Sequence, residues 1–501
     1  MDHDEFRRAA YAAIEEIVAY NQNIASYPVL PTIKPGYLAP LLPATAPQDA
    51  QSWASIQPDI SRTIVPGLTH WQSPRFMAFF PAAVTYPSML GEMYSAAFNA
   101  PAFNWQCSPA CTELETIVMD WLAQAFDLPK LFLSTTGTGG GTIQGSASEA
   151  IVTCMVAARE RSDQAHSSTT KGARIAGTRY RSIAAQERNG YSLTASDLGP
   201  ALAQCYADGL EPYYITLTLG TTSICAVDDF GSLLQPLLAT KHPEIWVHVD
   251  AAYAGAALVC PEYSSMYSHH FTHVDSFNMN MHKWLLVNFD ASCLFVRDRN
   301  HLTRALSISA AYYENKQSSA GLVTDYRDWQ IPLGRRFRSL KIWFVMRAYG
   351  VKGMQDHIRH TVRLGQLVEG WLRDEVAARD LFEVVGTPRF ALTCFRIRPT
   401  ALLLKTQQND HDHVDFDAEQ TANALTKKVV DLITERGQLF LTSSTAGGKT
   451  FIRVVSANPN AEAKYVREAW ELIVETAREL VAEWSEGAPG AEKKQMNGAA
   501  H

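Results

Sequence analysis

The apolar positions along the chain change period several times, and each change marks an element. Residues 5–20 place apolar side chains at helical spacing and predict an N-terminal helix. Residues 27–45 break that pattern with Pro28, Pro31, Pro35, Pro40 and Pro43. Proline fixes its own φ and disfavours helix at the residue before it, so this stretch predicts an extended arm lying on other structure. A second helix is predicted over residues 112–126. Thr112 and Glu115 have the spacing of a capping box, and Leu114, Ile117, Val118, Trp121 and Leu122 form one apolar face. Between residues 131 and 297 short apolar runs alternate with helical patterns, and the runs at 214–219, 245–249 and 293–296 predict buried strands. Strands alternating with helices imply an α/β fold with a mainly parallel sheet covered on both faces. A long helical stretch from residue 340 leads out of this region. The remainder, to residue 484, mixes helices with strands at 391–397 and 450–455 and predicts a smaller α+β domain. The expected organisation is an arm over 1–80, a large domain over 81–350, a small domain over 351–484 and a disordered polar tail over 485–501. The His/Asp-rich stretch 409–417 predicts a surface loop.

Composition narrows the function classes. With 501 residues, 47% of them hydrophobic, the chain can bury a sizeable core. Its net charge of -7 comes without a basic stripe, and no apolar run is long enough to span a bilayer, so neither a nucleic-acid nor a membrane partner is expected. The first residues, Met1 to Glu5, are polar and acidic and lack a signal peptide's plan. The eight cysteines form no CxxC pair. Reduced thiols in a cytoplasmic protein are the expectation.

Four segments carry candidate chemistry. The glycine-rich string from Gly139 to Gly145, followed by Ser146, Ala147 and Ser148, predicts a turn opening a helix. Backbone N–H groups and the helix dipole there suit a phosphate, although a serine N-cap explains the same residues. Asp250, in His248-Val249-Asp250-Ala251-Ala252-Tyr253, ends an apolar run, where ligands gather in open α/β sheets. A carboxylate there can pair with a protonated ring nitrogen or serve as a helix cap. Lys283, in Asn280-Met281-His282-Lys283-Trp284, has apolar neighbours whose burial lowers an amine's pKa and frees a nucleophile. His166 follows Asp163-Gln164-Ala165 and is a candidate for stacking or proton transfer.

Two lookalikes are set aside. Gly447-Gly448-Lys449-Thr450 ends like a phosphate loop, but a strand pattern follows it where that loop needs a helix. His269, His270 and His273, and separately His411 and His413, lack partners at a zinc motif's spacing, so no metal site is expected.

Further strings join the four segments: Pro35-Gly36-Tyr37-Leu38, His70-Trp71-Gln72-Ser73-Pro74, Ser108-Pro109-Ala110-Cys111, Thr218-Leu219-Gly220-Thr221-Thr222 and Asp325-Tyr326-Arg327-Asp328-Trp329. On these the chain resembles the pyridoxal-phosphate group II decarboxylases, specifically the aromatic-L-amino-acid (DOPA, tryptophan, tyrosine) decarboxylases, over residues 27–480. The resemblance implies the fold-type I, aspartate-aminotransferase-like architecture with a seven-stranded-type large sheet, and a homodimer whose sites lie at the interface and to which the arm contributes. It implies pyridoxal 5'-phosphate as cofactor and release of CO2 and an arylalkylamine. In that frame Lys283 is the Schiff-base lysine and Asp250 the partner of the pyridine nitrogen. Ala252 lies against the ring and His166 stacks on it. Ser146, Ala147 and Asn280 contact the phosphate, Ser148 and His282 are further cofactor-binding residues, and Thr222 lies beside the cofactor. Tyr312, with Tyr313 adjacent, is the loop acid that protonates carbon. Trp71, Phe79, Phe80, Ala82, Phe103 and Gly334 shape the substrate pocket. Relatives that oxidise their substrate to an aldehyde commonly carry Phe in place of Tyr312, so an amine product is favoured over the aldehyde-synthase alternative.

Two departures stand out. The helical run ending near Arg161 passes almost directly to His166, where family members have more chain, including a strand of the large sheet. Loss of that strand is expected to leave a gap beside the cofactor, and gives a third alternative, a dimer with impaired catalysis. Ala82 and Phe79 make the pocket less polar than in animal relatives, and Gly334 leans toward indole substrates.

Overall fold

Five strands form the central sheet of the larger of two units in this computed structural model, which describes residues 1–161, 177–239, 245–307, 317, 323–408 and 417–487. They are β1 (Gly140–Gln144), β2 (Tyr214–Thr218), β3 (Trp246–Asp250), β4 (Ser276–Asn280) and β5 (Ser292–Val296), in the spatial order β1-β5-β4-β3-β2. The pairs β2–β3 and β3–β4 are parallel, while β5 runs antiparallel to both β4 and β1. Four of the five strands therefore point the same way, so the sheet is mixed but mainly parallel. Among the described residues it has five strands rather than seven, and β2 is its free edge.

The larger unit comprises Ala82–Gly365 and Gly386–Leu392; the smaller comprises Met1–Pro81, Gln366–Val385 and Thr393–His501. Within the smaller unit, β6 (Phe382–Val384), β7 (Leu392–Ile397), β8 (Thr442–Ala446) and β9 (Lys449–Val455) form a sheet in the order β6-β7-β9-β8. Gly447 and Gly448, with φ of 55° and 78°, make the two-residue hairpin between β8 and β9. The apparent phosphate loop is thus a β-turn.

The helices follow the apolar pattern with shifted faces. Helix α1 (His3–Gln22) is capped by Asp2, which accepts from the Glu5 N–H at 2.8 Å, and none of its residues is buried within this chain. Helix α2 spans Tyr86–Phe98 and exposes Tyr86, Leu90, Met93, Tyr94 and Phe98. Helix α3 (Pro109–Ala125) begins one turn earlier than expected, with Ser108 as cap and Pro109 at its first position. Thr112 and Glu115 are therefore no capping box. Both are buried, and the inward face is Cys111, Glu115, Val118, Met119 and Leu122, leaving Ile117 and Trp121 exposed. Helix α4 (Ala147–Arg161) covers one face of the central sheet and buries Ala150, Cys154, Ala157 and Ala158. Lys283 lies in the single turn α5 (Met281–Trp284). Helix α6 (Arg338–Asp374) bends at Gly350, whose φ of 63° a side chain would resist. Helices α7 (Ala418–Glu435) and α8 (Ala463–Gly487) complete the smaller unit.

The glycine-rich string is a strand through Gln144, not a turn. Its glycines make room for neighbours. A Cβ on Gly139 would lie 2.0 Å from the Leu131 carbonyl oxygen, and one on Gly141 would lie 2.5 Å from Met119 Cε. Across this strand runs a buried ion pair. Arg335 Nη2 donates to Glu115 Oε1 at 2.6 Å, and the same carboxylate accepts from the Ile143 N–H at 2.8 Å. Arg335 also donates from Nε to Gln330 at 2.8 Å and lies 4.7 Å over the Tyr326 ring.

Candidate active site

The site is assembled where β1, β3 and β4 end. Asp250 closes β3, and its Oδ1 accepts from the Ala252 N–H at 3.0 Å, which fixes the carboxylate on a local turn. Ala252 in turn accepts from the Asn280 N–H at 3.0 Å, so the ends of β3 and β4 are tied together. Lys283 follows directly on the turn after β4. Met281 donates to the Ala291 carbonyl, and the Ala291 N–H donates to His282 Nδ1 at 2.8 Å. Trp284 stacks on Tyr253 at 4.7 Å and donates to Thr361 at 3.0 Å. A one-turn helix held on three sides presents the lysine in a fixed direction.

Electrostatics give that lysine its chemistry. Burial pushes the Lys283 amine below the ordinary lysine range, and the Asp250 carboxylate opposes the shift. His282 is held neutral, at about 4, by burial and by the neighbouring Lys283. Since His282 Nδ1 accepts a hydrogen bond, Nε2 carries the proton.

The turn after β1 is a reciprocal helix cap. Ser146 Oγ accepts from the Glu149 N–H at 3.2 Å, and Glu149 Oε2 accepts from the Gly145 N–H at 2.9 Å. This satisfies two early N–H groups of the Gly145–Ser146 turn and α4 and sets the direction of the rest. Ala147 is half-buried and Ser148 exposed. Thr222 is exposed, whereas Thr221 lines a cavity of about 510 Å³ together with Asp250, Thr218, Asp228, Ile215 and Leu202. That cavity lies along the free edge of β2, where the shortened sequence predicts a gap.

The substrate residues divide between the units. Ala82 and Phe103 are half-buried in the larger unit. Gly334, in the same unit, is exposed, and a Cβ there would meet nothing within 4 Å. Trp71, Phe79 and Phe80 belong to the smaller unit. Trp71 stacks on Phe76 at 4.3 Å and faces Phe79 at 5.9 Å, with 36% and 48% of Trp71 and Phe79 exposed. Phe80 is buried beneath the Arg453 guanidinium at 5.3 Å. Phe76 and Phe440 complete this aromatic cluster and escaped the sequence reading, since neither lies in a recognisable string. His166, Tyr312 and Tyr313 lie outside the described residues.

Comparison with known proteins settles the family. The pyridoxal-dependent decarboxylase conserved domain matches residues 35–162 and 161–398. The chain belongs to the pyridoxal-dependent decarboxylase family. It is 39% identical to tyrosine decarboxylase 2 of Narcissus pseudonarcissus, covering 99% of this chain and 98% of that one. It is 40% identical to phenylacetaldehyde synthase of Arabidopsis thaliana, with 96% and 97% covered. The crystal structure of Oryza sativa TDC with PLP and tryptamine superposes with a TM-score of 0.87 at 37% identity, covering 96% and 99% of the two chains. The family match comes in two pieces that meet at residues 161–162, where the sequence is expected to be shortened.

The family's cofactor is pyridoxal phosphate, and this chain's residues fit it. Lys283 offers a half-buried amine of lowered pKa beside a carboxylate. Asn280 Oδ1 and Ser292 Oγ are buried without a hydrogen-bond partner, polar atoms left around the strand ends for a polar ligand.

Proposed function

We propose that this protein is an aromatic L-amino-acid decarboxylase that converts tryptophan, tyrosine, DOPA or phenylalanine to the amine and CO2. The observation that carries the reading is the pairing of a half-buried, pKa-lowered Lys283 with Asp250 at neighbouring strand ends in a chain of this family. Pyridoxal phosphate, when bound, supplies the conjugated ring that takes up the electrons left on Cα. Lys283 is the residue whose amine would hold the cofactor at its aldehyde carbon and release it to the substrate amine. Asp250 would keep the proton on the ring nitrogen, because a nearby anion favours the charged form. The N–H groups at the start of α4 are assigned as donors to the phosphate, and His282 to the cofactor. His166 is assigned to stacking on the ring and Tyr312 to delivering the proton to Cα. Trp71, Phe79 and Phe103 are assigned to the aromatic substrate wall, and the open space at Gly334 leaves room for an indole.

The protein is proposed to act as a cytoplasmic homodimer. Support comes from the exposed apolar side chains of α2 and from an N-terminal helix that buries nothing in its own chain. Among the described residues no helix is long and apolar enough to cross a membrane.

The test is to supply purified protein with pyridoxal phosphate and measure CO2, amine, ammonia and hydrogen peroxide from the four amino acids side by side. Amine with CO2, lost in Lys283→Ala, is the expected result. Peroxide and ammonia in step with CO2 would replace the reading by aldehyde synthesis, the activity named for the Arabidopsis relative. The cavity beside β2 favours a second reading, a protein that binds the cofactor yet turns over slowly. Borohydride-fixed cofactor on Lys283 without CO2 release selects it.

A further inference from the structure

One face of the central sheet is polar where cores are ordinarily apolar. Side chains alternate along a strand, so Trp246, His248 and Asp250 of β3 share a face with Ser276, Asn278 and Asn280 of β4. In the register of these strands His248 stands opposite Ser276, and Asp250 opposite Asn278. All of these side chains except Asp250 are buried.

The hydrogen bonds on this face have one direction. The Trp246 indole can only donate, and it donates to Ser276 Oγ at 2.7 Å. Ser276 Oγ also lies 2.7 Å from His248 Nδ1, and His248 Nε2 lies 2.8 Å from Asn278 Oδ1. A carbonyl oxygen only accepts, so Nε2 carries the proton and Nδ1 accepts from the serine. The order is Trp246 to Ser276 to His248 to Asn278. Asn278 Nδ2 is then left buried without a partner, and the only charged side chain on this face of the two strands is Asp250, opposite it. Tyr214 of β2 lies 6.1 Å from the His248 ring, and Cys154 of α4 meets Ser276; burial raises both and keeps them protonated and uncharged.

We propose that His248 is a positioning residue: by donating from Nε2 to Asn278 Oδ1 it locks the Asn278 amide with its unpartnered N–H donors turned toward the end of β3, where Asp250, the carboxylate assigned to the cofactor's ring nitrogen, stands opposite. The anion makes this the favoured orientation, since the flipped amide would set its oxygen against the carboxylate. Burial holds the imidazole neutral, at about 4, so the donor pattern is constant across the neutral range.

This rests on the role given to Asp250 above, but its first test needs no cofactor. In the full-length apoprotein labelled with 15N-histidine, His248 should show the neutral Nε2–H tautomer at neutral pH. The Nδ1–H tautomer, or an imidazolium, would overturn the proposal whatever the protein's activity. The second test is made by variants. His248→Phe should weaken pyridoxal phosphate binding to the apoprotein about tenfold, the size expected for one lost bond to a charged group. It should lower kcat with KM changed by less than about twofold, and shift the pH titration of the bound cofactor's absorbance. His248→Gln, which keeps one donor and one acceptor, should restore most of the affinity. Asn278→Leu, with His248 intact, should reproduce the phenylalanine variant's affinity and titration, and serves if that variant fails to fold. A fall in thermal stability with cofactor affinity and titration unchanged would make the row purely structural and refute the assignment.

Discussion

The two ends of the central sheet meet their surroundings in opposite ways. At one end β1 is closed: its glycines admit Leu131 and Met119 to within less than a side chain's width, and the Glu115–Arg335 pair crosses it at 2.6 Å. At the other end β2 faces a cavity of about 510 Å³, and Ile215, Thr216 and Thr218 are only half-buried. Both ends belong to one fold, so the difference is local. The interrupted family match at residues 161–162 locates it in the chain. The closed end carries the turn proposed to hold the phosphate, and the open end lies beside Asp250. Cofactor binding is therefore expected to survive better than turnover.

The largest expected effect is at the closed end. Glu115→Ala strands a buried guanidinium and should cost about 3–5 kcal/mol of unfolding free energy, read by denaturant titration; a loss below about 1 kcal/mol would mean that the clamp is not what closes this end.

The next effect belongs to the middle of the sheet and to pH. His248 and His282 sit at about 4 in the folded chain, below the ordinary 6.5. The unfolded chain binds protons more readily, so the stability these groups contribute is full above pH 6.5 and is lost as the pH falls toward 4. Each is worth of the order of 3 kcal/mol. Asp228, beside β2, acts with the opposite sign. Burial raises it to about 6, so its favourable contribution is present below its ordinary value of 3.8 and is lost as the pH rises through 6. Net acid lability between pH 6.5 and 4, followed by thermal unfolding, is the expected outcome. A midpoint that rises on acidification would show that the carboxylate dominates.

Two smaller substitutions set the ends directly against each other. Gly141→Ala places a methyl 2.5 Å from Met119 Cε and 2.9 Å from the Phe295 ring, and should cost about 1–3 kcal/mol. Leu202→Phe adds volume to the cavity beside β2 and should change stability by less than about 1 kcal/mol. Equal penalties at the two positions would mean that the β2 end is as tightly packed as the β1 end.

Much of this arrangement is legible in the sequence, and the exceptions share a cause. Strands β2, β3 and β5 are apolar runs and announce themselves. Strand β1 reads as a turn because Gly140-Gly141-Thr142-Ile143-Gln144 has no such run, its burial being set by what packs against missing side chains. Strand β4 is hidden because Ser276, Asn278 and Asn280 alternate with Phe277 and Met279 and break the apolar run. Helix α3 begins a turn early because Glu115 serves a partner 220 residues away rather than its own helix end. Lys283 and Asp250 could be found from local strings. The His248 row could not, since it depends on the register between two strands. Nor could the cluster of Trp71 and Phe79 with Phe440, which joins segments distant in sequence.

Arg161, the last residue of α4, donates to Asp275 at 2.7 Å and lies 4.8 Å over the Trp246 ring. The seam in the family match therefore falls on an anchored post. A lineage that trims or restores the stretch beyond it edits an appendage and leaves the frame standing, so a graft of the relatives' longer segment at this point should be accepted as a spare part is by a machine already bolted down.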